Sequence, residues 1–456
     1  MTRKSHLLLE KQTLQKNMTN TAFGLLAVQG LQFIPVFCAQ NTIQVYPKIA
    51  SIASDDVAKL VEVQSDMFES KDSQNVTLLV LLDLSAAFDT VSRNVLFSAL
   101  EGQFRISGTV LKWFKSYLDG RQQKVLVENV CSEPNNLACE VPQGSCLGPI
   151  LFVMYISSLY DLISKHLPLV HGYADDHQLY ISFRPDTKST ADSVTAMEDC
   201  VSDIRRWMLT NRLLINDGKT EVMLVGTPQQ FAKITLDGIK VRGENIVPAT
   251  AVRNLGVNQD NHLKMVKHVS SLCSRSFYRL YRLRRIRKFL TPQATQTLVH
   301  AFVTSNLDYC NSLFYGMPQY LLDKLQRIQN AAARVVMLVP KFEHITPVMI
   351  ELHWLPVKYR IMYKILLLVF KCLSGEAPAY LQEMIRWYIP RRTLRSSSAL
   401  LLEVRRCRCK TLGTRSFRHA GPTLWNDLPL EIRKAKDINS FKQLMKTHFF
   451  RLAYNL

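Results

Sequence analysis

Apolar and polar positions change their period several times along the chain, and the changes mark out its elements. Residues 54–71, "SDDVAKLVEVQSDMFESK", carry apolar side chains at helical spacing. They lead into "NVTLLVLLDLS", a continuous apolar run with the look of a strand buried on both faces. "TVSRNVLFSALEGQF" and "GTVLKWFKSYLDG" return to the helical period, and "QKVLVENVCSE" reads as a strand entering a hairpin. "GPILFVMYISSLYDLISK" places Pro149 near the start of a helix, where its missing N–H costs nothing. Residues 169–183, "LVHGYADDHQLYISF", are two short strands flanking a pair of aspartates. Val194, Met197, Val201, Ile204 and Met208 then share one helical face, and "EVMLVG" is a further strand. From Lys264 onward the pattern is almost wholly helical, with Thr291 and Pro292 as a capping start and Gly375 as a stop. The sum is an α+β chain: an antiparallel sheet with helices on one face, followed by helical regions.

Composition narrows the function. The 456 residues carry 47% apolar positions and a formal charge of +20, an imbalance that points to an anionic partner, nucleic acid before membrane. The ten cysteines show no CxxC pair, and no histidine pair has zinc-ligand spacing. Reduced thiols of the cytoplasm or nucleus are the simplest reading. Residues 1–50 hold an uncharged stretch between Lys16 and Lys48. Gln29, Gln32, Pro35, Asn41 and Gln44 interrupt it, so it makes a poor membrane span and no stable membrane association is expected. No obligate protein partner is evident.

Asp175 and Asp176 pose the chemical question, because adjacent carboxylates in a half-buried strand pair repel each other. Asp83 ends the apolar strand "VTLLVLLD". If the two strands are neighbours, three carboxylates converge, an arrangement suited to two Mg²⁺ ions about 3.5–4 Å apart. The competing explanation is local: an Asp-rich turn at 175–176 and a capping role for Asp83.

The ordered motifs "LLDLSAAFDTVSRNVL", "VPQGSCLGPILFVMYISSL", "GYADDHQLY", "LLINDGKTEVMLVG" and "NLGV" resemble the reverse transcriptase of LINE-type (non-LTR) retrotransposons, in particular the Jockey and chicken-repeat group. "HITPVMIELHWLPVKYRIMYKILLLVFKCLSGEAPAYL" and "HAGPTLWNDLPLEIRKAKDINSFK" extend the likeness toward the C-terminus. The resemblance implies a right-hand polymerase that copies an RNA template from a DNA primer, using deoxynucleoside triphosphates and two Mg²⁺ ions, with Mn²⁺ as an alternative. It implies metal binding at Asp83, Asp175 and Asp176, and a proton donor to the leaving group at Lys219. Phe88 matches the aromatic gate that excludes a 2′-hydroxyl, and Gln143 and Gly144 match the loop at template and nucleotide. Leu255 and Gly256 match the hairpin that grips the primer end.

Arg275, Arg279, Arg282 and Arg285 form an arginine stripe in a tract with no acidic residue, which suits phosphate contact. The expected organisation is an unmatched extension over 1–50, a palm over 51–260 with the fingers largely missing, a helical thumb-like region over 261–340 and a basic helical region over 341–456. An N-terminally truncated, catalytically impaired element that only binds nucleic acid is the alternative to an active polymerase.

Overall fold

The computed structural model describes residues 56–145, 147–167, 170–173, 176–241, 244–390, 399–409 and 412–456. The expectations for residues 1–50 and for Asp175 lie outside them. In chain order the elements that position the site begin with helix α1 (Asp56–Asp72), strand β1 (Val76–Leu82) and the two-residue strand β2 (Leu84–Ser85). Helix α2 (Gly148–Tyr155), strands β3 (Val170–Tyr173) and β4 (Asp176–Phe183) and helix α3 (Thr187–Thr210) follow. Next come β5 (Leu214–Ile215), β6 (Glu221–Val225) and the hairpin β7 (Ala251–Asn254) with β8 (Val257–Asp260). The long helices α4 (Val266–Ile286), α5 (Gln319–Met337), α6 (Val357–Leu373), α7 (Phe417–Asn426) and α8 (Ile438–Tyr454) complete the chain.

The principal sheet has strand order β6-β1-β4-β3. β1 pairs antiparallel with β6, from Thr77↔Val225 to Leu81↔Glu221, and β3 with β4, from Val170↔Leu179 to Tyr173↔Asp176. The expected antiparallel sheet with helices is therefore present. β1 has no polar alternation because six of its seven residues are buried, the feature more familiar from parallel sheets.

The chain divides into two compact units. One comprises the described residues of 82–179 and 196–220. In it the helix Arg93–Gly102 packs against α2, and Leu96, Leu100, Leu151, Phe152, Met197, Ile204 and Met208 are buried. Val194, expected on the same face of α3 as the last three, is only half-buried. The other unit comprises residues 54–81, 180–195 and 221–456. Its larger core joins α1 to α4, α5, α6, α7 and α8 through Leu60, Leu272, Leu325, Leu366, Trp425 and Phe441. A smaller cluster of Met67, Phe68, Leu79, Tyr180 and Met223 fills the space between α1 and the strands. Among the described residues no helix is long and apolar enough to cross a membrane, and no cysteine is in a disulfide.

Candidate active site

Asp83 sits where the chain leaves β1 and enters β2. Its carbonyl accepts the Asn216 N–H (2.8 Å), and β2 pairs with β5 through Leu84↔Ile215, so its backbone is fixed on both sides. The short 3-10 turn Asp217–Lys219 follows β5 and is clamped twice. Arg205 of α3 pairs with the Asp217 carboxylate, and the Thr220 hydroxyl donates to the Asn216 carbonyl (3.1 Å). The clamped turn presents Lys219, whose Nζ lies 3.1 Å from Asp83 Oδ2. That oxygen is shut off from solvent and has no aligned hydrogen-bond donor among the described residues, so the contact is an ion pair held by charge. Lys219 is 67% exposed, so the ammonium can leave without breaking packing.

The placement of Asp176 relative to Asp83 follows from the strands. Thr77 Oγ1 and Ser182 Oγ share a hydrogen bond of 2.8 Å, which sets the start of β1 beside the end of β4. Neighbours arranged start to end share a ladder along their length only when antiparallel. Six residues on from Thr77 is Asp83, one past the end of β1, and six back from Ser182 is Asp176, so the register counted on from that bond runs toward both aspartates. An even number of steps also keeps both on the face that carries Thr77 and Ser182. Asp176 is exposed and opens β4, three residues after β3 closes at Tyr173. Asp175, the residue before it, lies outside the described residues.

What supports this hairpin was not legible beforehand. A Cβ on Gly172 would run into the hydroxyl of Tyr160, so only glycine lets β3 lie on that ring. The Tyr160 side chain is buried, which pushes its hydroxyl well above the usual tyrosine range, and among the described residues its oxygen has no partner. Its ring stacks at 6.2 Å on His177, itself buried, so the residue following the aspartates belongs to the support of the strand pair. "GY" in the motif was the available signal.

Phe88 is half-buried, with its ring 5.0 Å from that of Phe152 on α2. Its carbonyl accepts the Val141 N–H (2.9 Å), which ties it to the segment bearing Gln143 and Gly144. Both of these are exposed, on a turn in which Gly144 takes φ +78°, a conformation that favours glycine. Ser145 closes the turn: its hydroxyl donates to the Pro142 carbonyl (2.7 Å) and accepts the Gly148 N–H (3.0 Å) at the start of α2. Its hydroxyl thus joins the turn to the first N–H of the helix.

Leu255 and Gly256 form the two-residue turn between β7 and β8, with φ +43° and +79°. Tyr309 donates its hydroxyl to the Leu255 carbonyl (2.7 Å) and braces the turn. On α4, Arg275, Arg282 and Arg285 are exposed, as the stripe requires. Arg279 departs from it: it is half-buried, and its guanidinium donates to the Phe302 carbonyl (2.7 Å). Phe302 lies in a π-helical turn, His300–Thr304, whose altered backbone pairing leaves such a carbonyl open to an outside donor.

Oxygen ligands on Asp83 and Asp176 suit a hard divalent cation, and the sealed, poorly satisfied Oδ2 of Asp83 fits one. Among the described residues no three His, Cys, Asp or Glu side chains gather as a metal cage.

Comparison with known proteins gives a consistent result. The family described as "Reverse transcriptase (RNA-dependent DNA polymerase)" matches residues 39–259. The chain is 24% identical over 299 residues to "Probable RNA-directed DNA polymerase from transposon BS" of Drosophila melanogaster, covering 63% of this chain and 32% of that protein. It is 24% identical over 289 residues to "Probable RNA-directed DNA polymerase from transposon X-element" of the same fly, covering 61% and 30%. Among solved structures, apo telomerase from Candida tropicalis is 13% identical with a TM-score of 0.40, covering 78% of this chain and 60% of that one. The chain thus spans about a third of the length of the curated relatives it matches.

Proposed function

We propose, from the premise that residues 39–259 are a reverse transcriptase domain of the kind found in non-LTR transposons, that this chain extends a DNA primer along an RNA template. The observation that carries the reading is the sealed Asp83 carboxylate oxygen facing one movable cation, Lys219, at the end of the strand that neighbours β4. Asp83, Asp175 and Asp176 are the residues that would hold divalent ions, Mg²⁺ by the hardness of the oxygen donors. When bound, such ions lower the pKa of an attacking hydroxyl and neutralise charge on phosphate.

The protein's own groups do the rest. Asp83 is pinned by Asn216 and β5, so its carboxylate needs no reorganisation when substrate arrives. Lys219 neutralises Asp83 in the resting chain. Displaced from it, the ammonium is free to approach the pyrophosphate oxygens and donate a proton there. Phe88, braced by Phe152, would lie under the incoming sugar and leave no space for a 2′-hydroxyl. Gln143 and the open backbone at Gly144 would meet the template and the nucleotide. The turn at Leu255 and Gly256 would hold the primer end, and the helical region beginning at α4 would serve as the thumb.

Primer extension on primed RNA by the purified chain tests this directly. Asp83→Asn keeps the size and the backbone ties of the side chain, and should cut incorporation by roughly 10²–10³-fold, the scale for losing one electrostatic element of a catalytic site. Binding of primer–template and thermal stability should stay near wild type. Undiminished incorporation by that variant overturns the site. Binding with no incorporation by the wild-type chain leaves a nucleic-acid-binding protein without polymerase activity.

A further inference from the structure

The outer face of α4 carries more than arginines. Its inner face is buried through Val269, Leu272, Ser276, Leu280 and Leu283. Opposite them stand Tyr278, 61% exposed, and Tyr281, 58% exposed, with Phe289, 78% exposed, just past the helix end. Arg282 and Arg285 lie beside these rings, one helical turn on from Tyr278 and Tyr281. The Arg282 guanidinium sits over the Tyr278 ring at 6.0 Å, and Lys288 Nζ over the Phe289 ring at 4.9 Å. From Lys264 to Leu290 no residue is acidic.

Each feature constrains what can lie there. Uncompensated positive charge asks for an anion. Duplex phosphates satisfy arginines but offer nothing to large exposed rings, because the bases of a duplex are stacked on one another. An unpaired strand presents both a charged backbone and free base faces that stack on aromatic side chains. Tyr278, Tyr281 and Phe289 span roughly 16 Å of helix axis at 1.5 Å per residue, room for a few bases. Two of the three rings are tyrosines, whose hydroxyls can bond a 2′-hydroxyl, a group DNA lacks.

We infer that this face is a binding site for single-stranded RNA, gripped by base stacking on Tyr278, Tyr281 and Phe289 with Arg282 and Arg285 on the phosphates. This deepens the proposed function, resting on it for the choice of RNA as the strand supplied, and it changes the part α4 plays. The helix holds unpaired strand, where the arginines alone suggested backbone contact with a template–primer duplex.

Fluorescence anisotropy with the full chain tests it, using labelled oligouridine, oligothymidine of equal length and a blunt RNA–DNA hybrid. The double variant Tyr278→Leu, Tyr281→Leu should weaken oligouridine binding at least about tenfold, given the free energy of stacking per base. The slope of affinity against salt should be unchanged, and hybrid affinity should stay within about twofold. Tyr278→Phe with Tyr281→Phe keeps the rings, folds under the same packing constraints and should retain most of the affinity. Arg282→Gln with Arg285→Gln should flatten the salt slope by roughly one to two units.

Unchanged oligouridine affinity in the leucine variant overturns the inference. An equal loss on the hybrid makes the face a duplex contact, and an equal loss on oligothymidine removes the RNA preference; either overturns it as well. The readout is binding, measured also in Asp83→Asn, so failure of the polymerase reading and failure of this site give different results.

Discussion

At the scale of single residues, the candidate site combines groups whose neighbours fix them with one that is free to move. Asp83 is held through its backbone, and Asp217 by Arg205, whereas Lys219 reaches Asp83 from a mostly exposed position. The motifs singled out Asp83 and Lys219 as candidates, but the sequence could not show that the two would pair, about 136 positions apart along the chain. Phe88 is the residue whose role has the clearest separate readout. Its ring rests on Phe152 and near the bare backbone of Gly148, so truncation opens space without removing a catalytic group. Phe88→Ala should therefore raise ribonucleotide incorporation relative to deoxynucleotide by roughly 10–200-fold, the range set by steric discrimination in a pocket. Competition between the two nucleotide types in primer extension measures it, and an unchanged ratio removes Phe88 from the gate.

Among elements, the hairpins show most clearly where local sequence and three-dimensional context share control. The β7–β8 turn has positive φ at both central residues, the geometry that matches strand twist and that Asn-Gly usually supplies. Here leucine stands first. It is retained because its side chain packs on the helical core while Tyr309 holds its carbonyl. Gly256 has no such compensation, and a Cβ there would meet Tyr309 at an ordinary 3.6 Å. Gly256→Ala should cost about 1 kcal/mol through backbone conformation alone. Denaturant unfolding reads the loss, and an unchanged midpoint would mean that the turn relaxes to another form. Strand β1 teaches the opposite lesson: its apolar run was legible as a doubly buried strand, but its choice of β6 as a partner was not, because burial alone does not encode which strand is the neighbour.

At the scale of the molecule, the unit containing α1 also holds a set of acids, Glu62 buried and the others half-buried, against the C-terminal segment. Tyr180 donates to Asp66 (2.8 Å), Arg405 pairs with Glu69 (2.8 Å), and Arg418 lies 3.6 Å from Asp66 and 3.3 Å from Glu69. Asp72 accepts the backbone N–H groups of Arg408 (3.0 Å) and Cys409 (2.6 Å). Burial above all, with the charges of Asp66 and Glu383 adding to it, pushes Glu62 from 4.5 up to about 8, against Arg418 and Lys59. Burial raises Asp66 and Glu69 as well. A carboxyl that binds its proton more tightly folded than unfolded stabilises fully below its unfolded pKa, and that stabilisation is lost as pH rises through the folded value.

The melting temperature should therefore fall by roughly 5 °C between pH 5 and pH 8. Glu62→Gln should flatten the profile, and a melting temperature that rises across this window would refute the assignment. Lys71, which burial brings down to about 8, works in the opposite sense only above that pH.

The sequence by itself carried the element types, the α+β class, the likeness to reverse transcriptases and the candidate site residues, because periodicity and short motifs are local properties of the chain. It also exposed the charge imbalance and the acid-free tract that begins α4. Tertiary structure alone decided that Lys219 reaches Asp83, that Arg279 is committed to the Phe302 carbonyl, and that Gly172 makes room for Tyr160. It also decided that α1 belongs with the C-terminal helices. These are relations between residues distant in sequence. They are fixed by strand register and by what remains exposed after packing, and neither is written in any one stretch of the chain.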